Sequence, residues 1–187
     1  YEAVLAASTE ELERVGRIVS DMLFLAQVSH PRALLPQEAV QLEEEAAKVA
    51  ELFDFSAEER SLRIAIEGHG QVVGDRLMIQ RAISNLLSNA IRHTPEGECI
   101  SVQVRDDGAA VTLEVQNPGT GIAAEHLPHL FERFYRVDKG RSRAQGGTGL
   151  GLAIVRSIME LHLGAASAQS SEEGPTRFLL KFPASPD

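Results

Sequence analysis

Residues 85–97 read NLLSNAIRHTPEG, and this stretch carries the strongest structural signal in the chain. It continues an apolar helical pattern, yet it holds two asparagines one helical turn apart. Asparagine is a mediocre helix former because its amide competes for nearby backbone groups. Four polar residues lie at i, i+4, i+8 and i+11 and therefore share one stripe beside the apolar face of the helix: Arg81, Asn85, Asn89 and Arg92.

This polar stripe has two interpretations. An amide oxygen can coordinate a hard cation, and magnesium accepts neutral oxygen ligands when phosphates supply the rest. Arg92, one turn further on, would then offer phosphate oxygens a fork of donors. In the other interpretation, both amides cap backbone groups or hydrogen-bond to solvent. The helix alone leaves both interpretations open.

The composition is that of an ordinary soluble globular protein, with 187 residues, 43% of them hydrophobic and 24% charged. A formal net charge of -9 argues against nucleic acid or an anionic membrane as the main partner. The single Cys99 excludes an internal disulfide and a zinc site of several cysteines, which indicates a reducing compartment. No apolar run reaches the roughly 18 residues that cross a bilayer, and the pattern already under way at Tyr1 suggests a piece of a longer protein.

The first 29 residues form a helical pattern with a seam at alternating spacings of three and four, broken by one serine: Leu5, Ser8, Leu12, Val15, Val19, Met22 and Ala26. Such a seam predicts a coiled-coil or bundle helix, and packing on the helix's own domain is the alternative. Residues 30–36, HPRALLP, contain two prolines and are predicted to form a linker.

Helical and strand-like stretches alternate beyond this linker. Helices are predicted over residues 42–59, 75–93 and 148–163, with Asp75 capping the second and Gly164 ending the third. Strands are predicted at residues 61–68, on both sides of Asp107-Gly108 within 98–117, and at 176–182. Consecutive strands joined by hairpins, with helices in separate runs, predict an α+β fold: a two-layer α/β sandwich preceded by one long helix.

Two glycine clusters flank a long basic loop region. VQNPGTGI, residues 115–122, places Gly119 and Gly121 where the backbone must approach another group closely. GGTGLGLAIVRSIMELH, residues 146–162, opens directly into a helix, and such a junction is a ready anion site. The chain has no G-x-G-x-x-G after a strand and no G-x-x-x-x-G-K-[ST], which disfavours a Rossmann site and a P-loop.

Four motifs follow one another: NxxxNA, N-P-G-x-G, FERFYR and G-x-G-L-G-L. Their order over residues 34–183 resembles the Bergerat-fold ATPases, and among them the catalytic domain of sensor histidine kinases. The leading EELERVGRIVSDMLFLAQVSH resembles the second helix of such a kinase's dimerisation and histidine-phosphotransfer domain. This resemblance implies a partial dimerisation domain at 1–30, a linker at 31–36 and a catalytic ATP-binding domain at 37–187. MLFLA, NPGTGI and RFYRVD are most similar to the heavy-metal (copper, silver or zinc) sensor branch.

The resemblance also implies roles for the residues that match each motif. Asn89 would hold magnesium, with Asn85 supporting the phosphate and metal site and Arg92 contacting phosphate. His93 would stack on adenine where the family usually has another ring, and a plain surface histidine is the alternative. Asn117 stands where the family commonly has an aspartate that accepts a hydrogen bond from the adenine amino group. An amide oxygen accepts the same bond without the charge, so we expect ATP binding with weaker adenine selectivity.

The glycine boxes and the segment between them complete the implied nucleotide site. Gly119 and Gly121, with Ile122, would make room for the base. Phe131 and Phe134 would anchor a lid against the core, with ordinary core packing as the alternative. Arg136 would contact the γ-phosphate, while Arg141 and Arg143 would be lid charges. Five residues would close over the triphosphate: Gly147, Thr148, Gly149, Leu150 and Gly151.

The chemistry implied is phosphoryl transfer to histidine. Gyrase-type relatives carry a water-activating glutamate at the position of Asn85, and an amide cannot act as a general base, so hydrolysis should be slow. The family's acceptor histidine is usually followed by Glu or Asp. None of the six histidines here is: they precede Pro31, Gly70, Thr94, Leu127, Leu130 and Leu163. The chain is therefore expected to hold the ATP half of the reaction and to lack the acceptor.

The resemblance implies ATP and magnesium as cofactors and a homodimer formed through the dimerisation domain. It further implies a cognate response regulator as partner, and a position on the cytoplasmic side of an inner membrane that absent upstream segments would cross. One alternative is an anti-sigma-type protein-serine kinase of the same fold, which the seam over residues 5–26 disfavours. Another is a non-catalytic, ATP-gated interaction module in which Asn117 marks decay.

Overall fold

The computed structural model describes residues 2–28, 36–137, 147–172 and 174–184. Its helices are α1 Glu2–Val28, α2 Leu42–Glu51, α3 Asp54–Glu58, α4 Arg76–His93 and α5 Gly151–Leu161. Its strands are β1 Glu38–Gln41, β2 Arg63–Gly68, β3 Gln71–Gly74, β4 Cys99–Asp106, β5 Ala110–Asn117, β6 Ala165–Gln169 and β7 Thr176–Pro183. The predicted linker lies outside the described residues except for Pro36.

The main sheet has five strands in the order β2-β4-β5-β7-β6, and a separate ribbon pairs β1 with β3. Apolar residues of the sheet alternate toward one face, where they join α4 and α5 in a common core. This arrangement confirms the predicted two-layer α/β sandwich. The expectation that hairpins join all consecutive strands is wrong, because β2 pairs parallel to β4 and α4 makes the crossover between them.

Three strands and two helix boundaries differ from the sequence prediction. The short β1, β3 and β6 were not predicted, and β6 reads AASAQ, without the branched and aromatic residues typical of strands. The predicted helix over 42–59 divides into α2 and α3 at Leu52 and Phe53. The predicted helix at 148–163 begins only at Gly151, so most of the second glycine cluster lies in the preceding loop.

Both ends of α4 are fixed by side-chain hydrogen bonds. Asp75 caps the helix as predicted, since its Oδ1 accepts from the Met78 N–H at 3.0 Å. The Asp75 N–H donates to Nε2 of buried His162 at 3.1 Å, and Nδ1 of that ring bonds the Ile158 carbonyl at 2.7 Å. At the other end, Arg60 donates to the Ile91 and Thr94 carbonyls. These bonds hold the helix that carries the polar stripe against α5.

A buried carboxylate joins α2 to α4. Glu45 is 0% exposed, and it accepts hydrogen bonds from Lys48 at 2.8 Å, Arg76 at 2.7 Å and Gln80 at 2.5 Å. Burial alone would raise the pKa of Glu45, but these hydrogen bonds hold it below its ordinary value. Glu38 also pairs with Arg76 at 3.0 Å, which ties β1 to the same network.

Helix α1 packs on the rest of the chain and also leaves its seam exposed. Leu25 is buried, and Ile18 and Phe24 pack against the common core. The seam residues Leu12, Val15, Val19 and Met22 are all exposed. One face of this helix therefore packs on its own chain, and the coiled-coil or bundle interpretation of its exposed seam stays a prediction. In the described ranges, no helix combines the length and apolar character needed to cross a bilayer.

Candidate functional site

The polar stripe of α4 meets the start of α5. Asn85 Nδ2 donates to the Arg81 carbonyl at 2.9 Å, so its nitrogen caps the helix backbone as the alternative interpretation expected. Its oxygen faces Gly151, where a Cβ would lie only 2.8 Å from Oδ1. The Asn89 side chain makes no hydrogen bond within the part of the chain that the structure describes. An oxygen acceptor on each asparagine is thus left for a ligand.

Two arginines converge at the second glycine cluster. A Cβ on Gly147 would lie 2.7 Å from Arg92 Nη1 and 3.7 Å from Arg136 Nη2. Arg136 Nη2 is buried and has no hydrogen-bond partner. Burial lowers the pKa of Arg92, and the positive charges of Arg136 and Arg17 lower it further. Among the described residues, no carboxylate forms an ion pair with Arg92 or Arg136, so the cluster is suited to an anionic ligand.

The segment before the lid is held by its backbone at Phe134. Its N–H donates to the Gly149 carbonyl at 2.8 Å, and Phe134 and Gly149 have left-handed φ values of 64° and 72°. A Cβ on Gly149 would lie 3.0 Å from the Phe134 backbone, a contact that favours glycine. This arrangement links the FERFYR motif to the second glycine cluster by a main-chain bond.

The two phenylalanines of the FERFYR motif differ in how they pack. Phe131 packs on the core and meets Phe178 edge-to-face, with the ring centroids 6.5 Å apart. Phe134 is 57% exposed, so the prediction that it anchors the lid by packing on the core is wrong. Its backbone makes the contact while its ring stays in solvent. The predicted lid charges Arg141 and Arg143 lie outside the described residues.

The start of α5 follows the second glycine cluster directly. Thr148 Oγ1 accepts from the Leu150 N–H at 3.2 Å, and Leu150 is fully buried just before the helix. The first N–H groups of a helix have no partner within the helix and carry partial positive charge. Gly151 begins that first turn beside Asn85, so these donors and the asparagine stripe border the same space.

The first glycine cluster lies at the C-terminal end of α4, beside His93. Asn117 is buried at the end of β5, and its Nδ2 donates to the Pro118 carbonyl at 3.2 Å. Gly119 has a φ of 142°, and a Cβ there would lie 2.8 Å from the His93 carbonyl. A Cβ on Gly121 would collide with the Ser171 carbonyl at 1.5 Å. Glycine is therefore required for the chain to pass between these groups.

His93 borders this end of the site. Packing around its ring lowers its pKa, and the charges of Arg92 and Arg60 add to the effect, although much of the residue faces solvent. The imidazole is therefore neutral at neutral pH. A neutral ring beside a cleft can stack on a flat, uncharged group.

Sequence reasoning missed a polar pair beside Asn117. Thr176 pairs with Asn117 across β5 and β7, and its Oγ1 lies 3.0 Å from Ser170 Oγ. Ser170 in turn accepts from the Ile122 N–H at 2.9 Å. Ser170 follows β6, a strand that was not predicted. The available signal was Thr176, a polar residue at a buried strand position.

A metal ion at this site would depend on the ligand for most of its coordination. The described part of the chain contains no group of three or more His, Cys, Asp or Glu residues that could hold a metal. The oxygens of Asn85 and Asn89 are neutral, which suits magnesium only when phosphate oxygens complete its shell. The donor set and the arginine cluster therefore fit a metal-bound polyphosphate.

Comparison with known proteins matches residues 74–186 to the family model described as histidine kinase-, DNA gyrase B-, and HSP90-like ATPase. The sensor histidine kinase CusS of Escherichia coli (strain K12) is 47% identical over 184 residues, which cover 98% of this chain and 38% of that protein. The sensor protein CzcS of Cupriavidus metallidurans is 43% identical over 98% of this chain and 38% of its own length. The chain thus spans less than half of the curated relatives it matches.

Solved structures give the same fold. Histidine kinase ThkA, in complex with the response regulator protein TrrA, matches with a TM-score of 0.76 and 27% identity, covering 95% of this chain and 49% of that one. Full-length ShkA in complex with AMPPNP matches with a TM-score of 0.80 at 24% identity, covering 99% of this chain and 39% of that one.

Proposed function

Because this chain belongs to the family of histidine kinase-, DNA gyrase B- and HSP90-like ATPases, we propose that it binds Mg-ATP and serves as the phosphoryl-donor part of a protein-histidine kinase. The buried, unpartnered Nη2 of Arg136 carries the proposal. It lies beside Arg92 at a glycine cluster that also meets Asn85. A buried donor without a partner is costly unless a ligand fills the place, and a triphosphate has the matching charge.

The phosphates and the base are assigned to different groups of residues around the C-terminal half of α4. Arg92, Arg136 and the Gly147–Gly151 loop bind the phosphates, with Thr148 and Leu150 in that loop. His93 stacks on the base, while Gly119, Gly121 and Ile122 make room for it and Asn117 accepts from its amino group. Asn89, supported by Asn85, holds magnesium, which supplies charge neutralisation on the phosphate oxygens when bound.

The transfer step needs a nucleophile that this chain does not supply. A neutral histidine nitrogen of a separate helix bundle forms a bond to the γ-phosphorus, while the bond from that phosphorus to the bridging oxygen of ADP breaks. Arg136 neutralises charge on the transferring oxygens. Asn85 cannot remove a proton from water, so hydrolysis competes poorly with transfer to histidine.

The whole protein is proposed to be a membrane-bound heavy-metal sensor with this part on the cytoplasmic side. Two heavy-metal-type relatives of high identity support that assignment, CusS and CzcS. The exposed seam of α1 supports a helical bundle formed with a second copy, and residues 1–30 would be the dimerisation segment joined to the catalytic domain at 37–187. ThkA was solved with a response regulator, and we expect a partner of that class here.

ATP labelled at its γ-phosphate, together with magnesium and a separately supplied bundle carrying its histidine, tests the function. The expected result is acid-labile label on the bundle and none on this chain, because none of its histidines has the acceptor context. An Ala replacement of the bundle histidine is the control. Acid-stable label on a serine would favour the serine-kinase alternative. Nucleotide binding without any transfer would favour the non-catalytic module.

A further inference from the structure

Tyr135 lies between the two residues that connect the lid base to the phosphates. Phe134 bonds Gly149 through its backbone, and Arg136 carries the unpartnered guanidinium. The Tyr135 hydroxyl lies 2.8 Å from His126 Nδ1, and its ring is tilted by 34° against His129 at a centroid distance of 5.4 Å. Its side chain packs against the common core. Tyr135 is thus fixed at both its ring and its hydroxyl.

The two histidines that contact Tyr135 belong to a short helical turn and its first flanking residue. His126 precedes the short 3-10 turn Leu127–His129 and His129 ends it, and the buried Leu130 follows. His129 Nδ1 lies 2.8 Å from Glu132 Oε1, and Glu125 approaches His126 Nε2 at 3.7 Å. A carboxylate thus bonds His129, and the Tyr135 hydroxyl bonds His126, the residue that begins the turn.

Arg136 has no comparable support of its own. No described residue forms a hydrogen bond or ion pair with its guanidinium. Long side chains lose much rotamer freedom when they are held in one place. The direction of Arg136 in the free protein must therefore come from the backbone on which it stands. Phe134 and Tyr135 fix that backbone immediately before it.

We propose that Tyr135 is a positioning residue, and that its bond to His126 holds Arg136 in place for the γ-phosphate, so that the site distinguishes ATP from ADP. This inference rests on the proposed function, which assigns the γ-phosphate to Arg136. Tyr135 touches no phosphate itself. Its effect passes through Arg136 and disappears when that guanidinium is absent.

Calorimetry with Mg-ATP and Mg-ADP on four forms of the chain tests this: wild type, Tyr135→Phe, Arg136→Ala and the double variant. Tyr135→Phe keeps the ring packing and removes only the hydroxyl. It is expected to weaken ATP binding about three- to tenfold, the size of one hydrogen bond's net contribution, and to leave ADP binding unchanged. The double variant should bind ATP like Arg136→Ala alone. His126→Gln, which weakens the same bond from its other side, should reproduce Tyr135→Phe.

The outcomes separate this inference from the proposed function. If Arg136→Ala weakens ATP and ADP equally, the γ-phosphate assignment and the inference both fail. If Arg136→Ala is selective for ATP but Tyr135→Phe and His126→Gln are not, the inference alone is overturned. An equal loss for ATP and ADP in Tyr135→Phe, or a further ATP loss on top of Arg136→Ala, also overturns it. Thermal unfolding of each variant identifies any that fail to fold. If either Tyr135→Phe or His126→Gln does not fold, the other one tests the inference.

Discussion

Two arginines near the stripe of α4 differ in what the fold provides for them. Arg81 donates to Asp21 of α1 at 2.9 Å, and its guanidinium lies 4.0 Å from the centroid of the Phe24 ring. Arg136 has a buried nitrogen with no hydrogen-bond partner among the residues that the structure describes. A cation with a complete set of partners stabilises the fold, whereas a buried cation without one is kept at a cost to stability. We infer that Arg81 is structural and that Arg136 awaits a ligand.

The two asparagines of the polar stripe show the same contrast between a side chain with a partner in the fold and one without. Asn85 uses its nitrogen for the helix backbone, and Asn89 makes no bond with the described residues. Residue type and spacing do not distinguish Asn85 from Asn89, since both lie on one stripe. The two asparagines differ only in their hydrogen-bond partners in the folded chain. The contrast between satisfied and unsatisfied polar groups leads to four predictions.

Asn89→Ala is expected to have the largest effect. Loss of the side-chain oxygen proposed to bind the metal should lower the affinity for Mg-ATP by more than about a hundredfold, or about 3 kcal/mol. The fold should be unaffected, because the side chain has no partner to lose. Calorimetry in the presence and absence of magnesium measures the change. Asn89→Asp keeps an oxygen ligand and should retain metal-dependent binding; unchanged affinity in Asn89→Ala would refute the assignment.

Glu45→Gln tests the opposite case, a buried charge with every partner present. The variant should lower the free energy of unfolding by about 2 kcal/mol near neutral pH, since Glu45 loses its charge-assisted bonds. The pKa of Glu45 is lowered in the folded state, so its contribution is complete above the unfolded value of 4.5 and is lost as pH falls through the folded value.

Denaturation curves of wild type and Glu45→Gln at a series of pH values measure this dependence. The two curves should approach each other as pH falls below 4.5 and converge only below the lowered folded-state pKa, where the wild-type carboxyl is protonated in both states. A difference in stability that stays constant across that range would mean that the charge of Glu45 contributes nothing.

The two arginines themselves should respond in opposite ways. Arg136→Ala should weaken Mg-ATP binding about ten- to a hundredfold, the range of hydrogen bonds to charged groups, without lowering thermal stability. Arg81→Ala should lower the free energy of unfolding by about 1 kcal/mol through loss of the Asp21 pair and the Phe24 contact. Its nucleotide affinity should change less than about twofold. The reverse pattern would contradict the division between structural and ligand-binding arginines.

Asn117→Asp is expected to have the smallest effect. A carboxylate accepts more strongly than an amide, so ATP affinity should rise by about threefold relative to GTP. Competition of the two nucleotides for the site measures the ratio. The same change for both nucleotides would remove the proposed contact between Asn117 and the adenine amino group.

Local chemistry explains which elements the sequence could predict. Asp75 caps α4 at the predicted position, and the hairpin forms where Asp106 and Asp107 accept from the turn backbone. These bonds join residues two or three positions apart, so the pattern contains them. The ribbon of β1 and β3 joins segments about thirty residues apart in strands of four residues, and no local periodicity indicates such a pairing.

The sequence indicated which residues belong to the candidate site, but it did not indicate which contacts they make. Order of motifs located the asparagines, the glycines and Arg136, which the fold brings together around α4 and the start of α5. The exposure of the Phe134 ring depends on a left-handed backbone that only the tertiary bond to Gly149 explains. The lack of a partner for Arg136 is likewise a property of the folded chain, since many carboxylates occur in the sequence.

The central claim is that amide oxygens, unpaired guanidinium groups and glycine backbone form one pocket for a metal-bound triphosphate. Calorimetric titration of the folded wild-type chain with ATP, with and without magnesium, measures that association. We predict saturable heat of binding that is stronger when magnesium is present. A correctly folded sample that gives no heat with either solution would contradict the account.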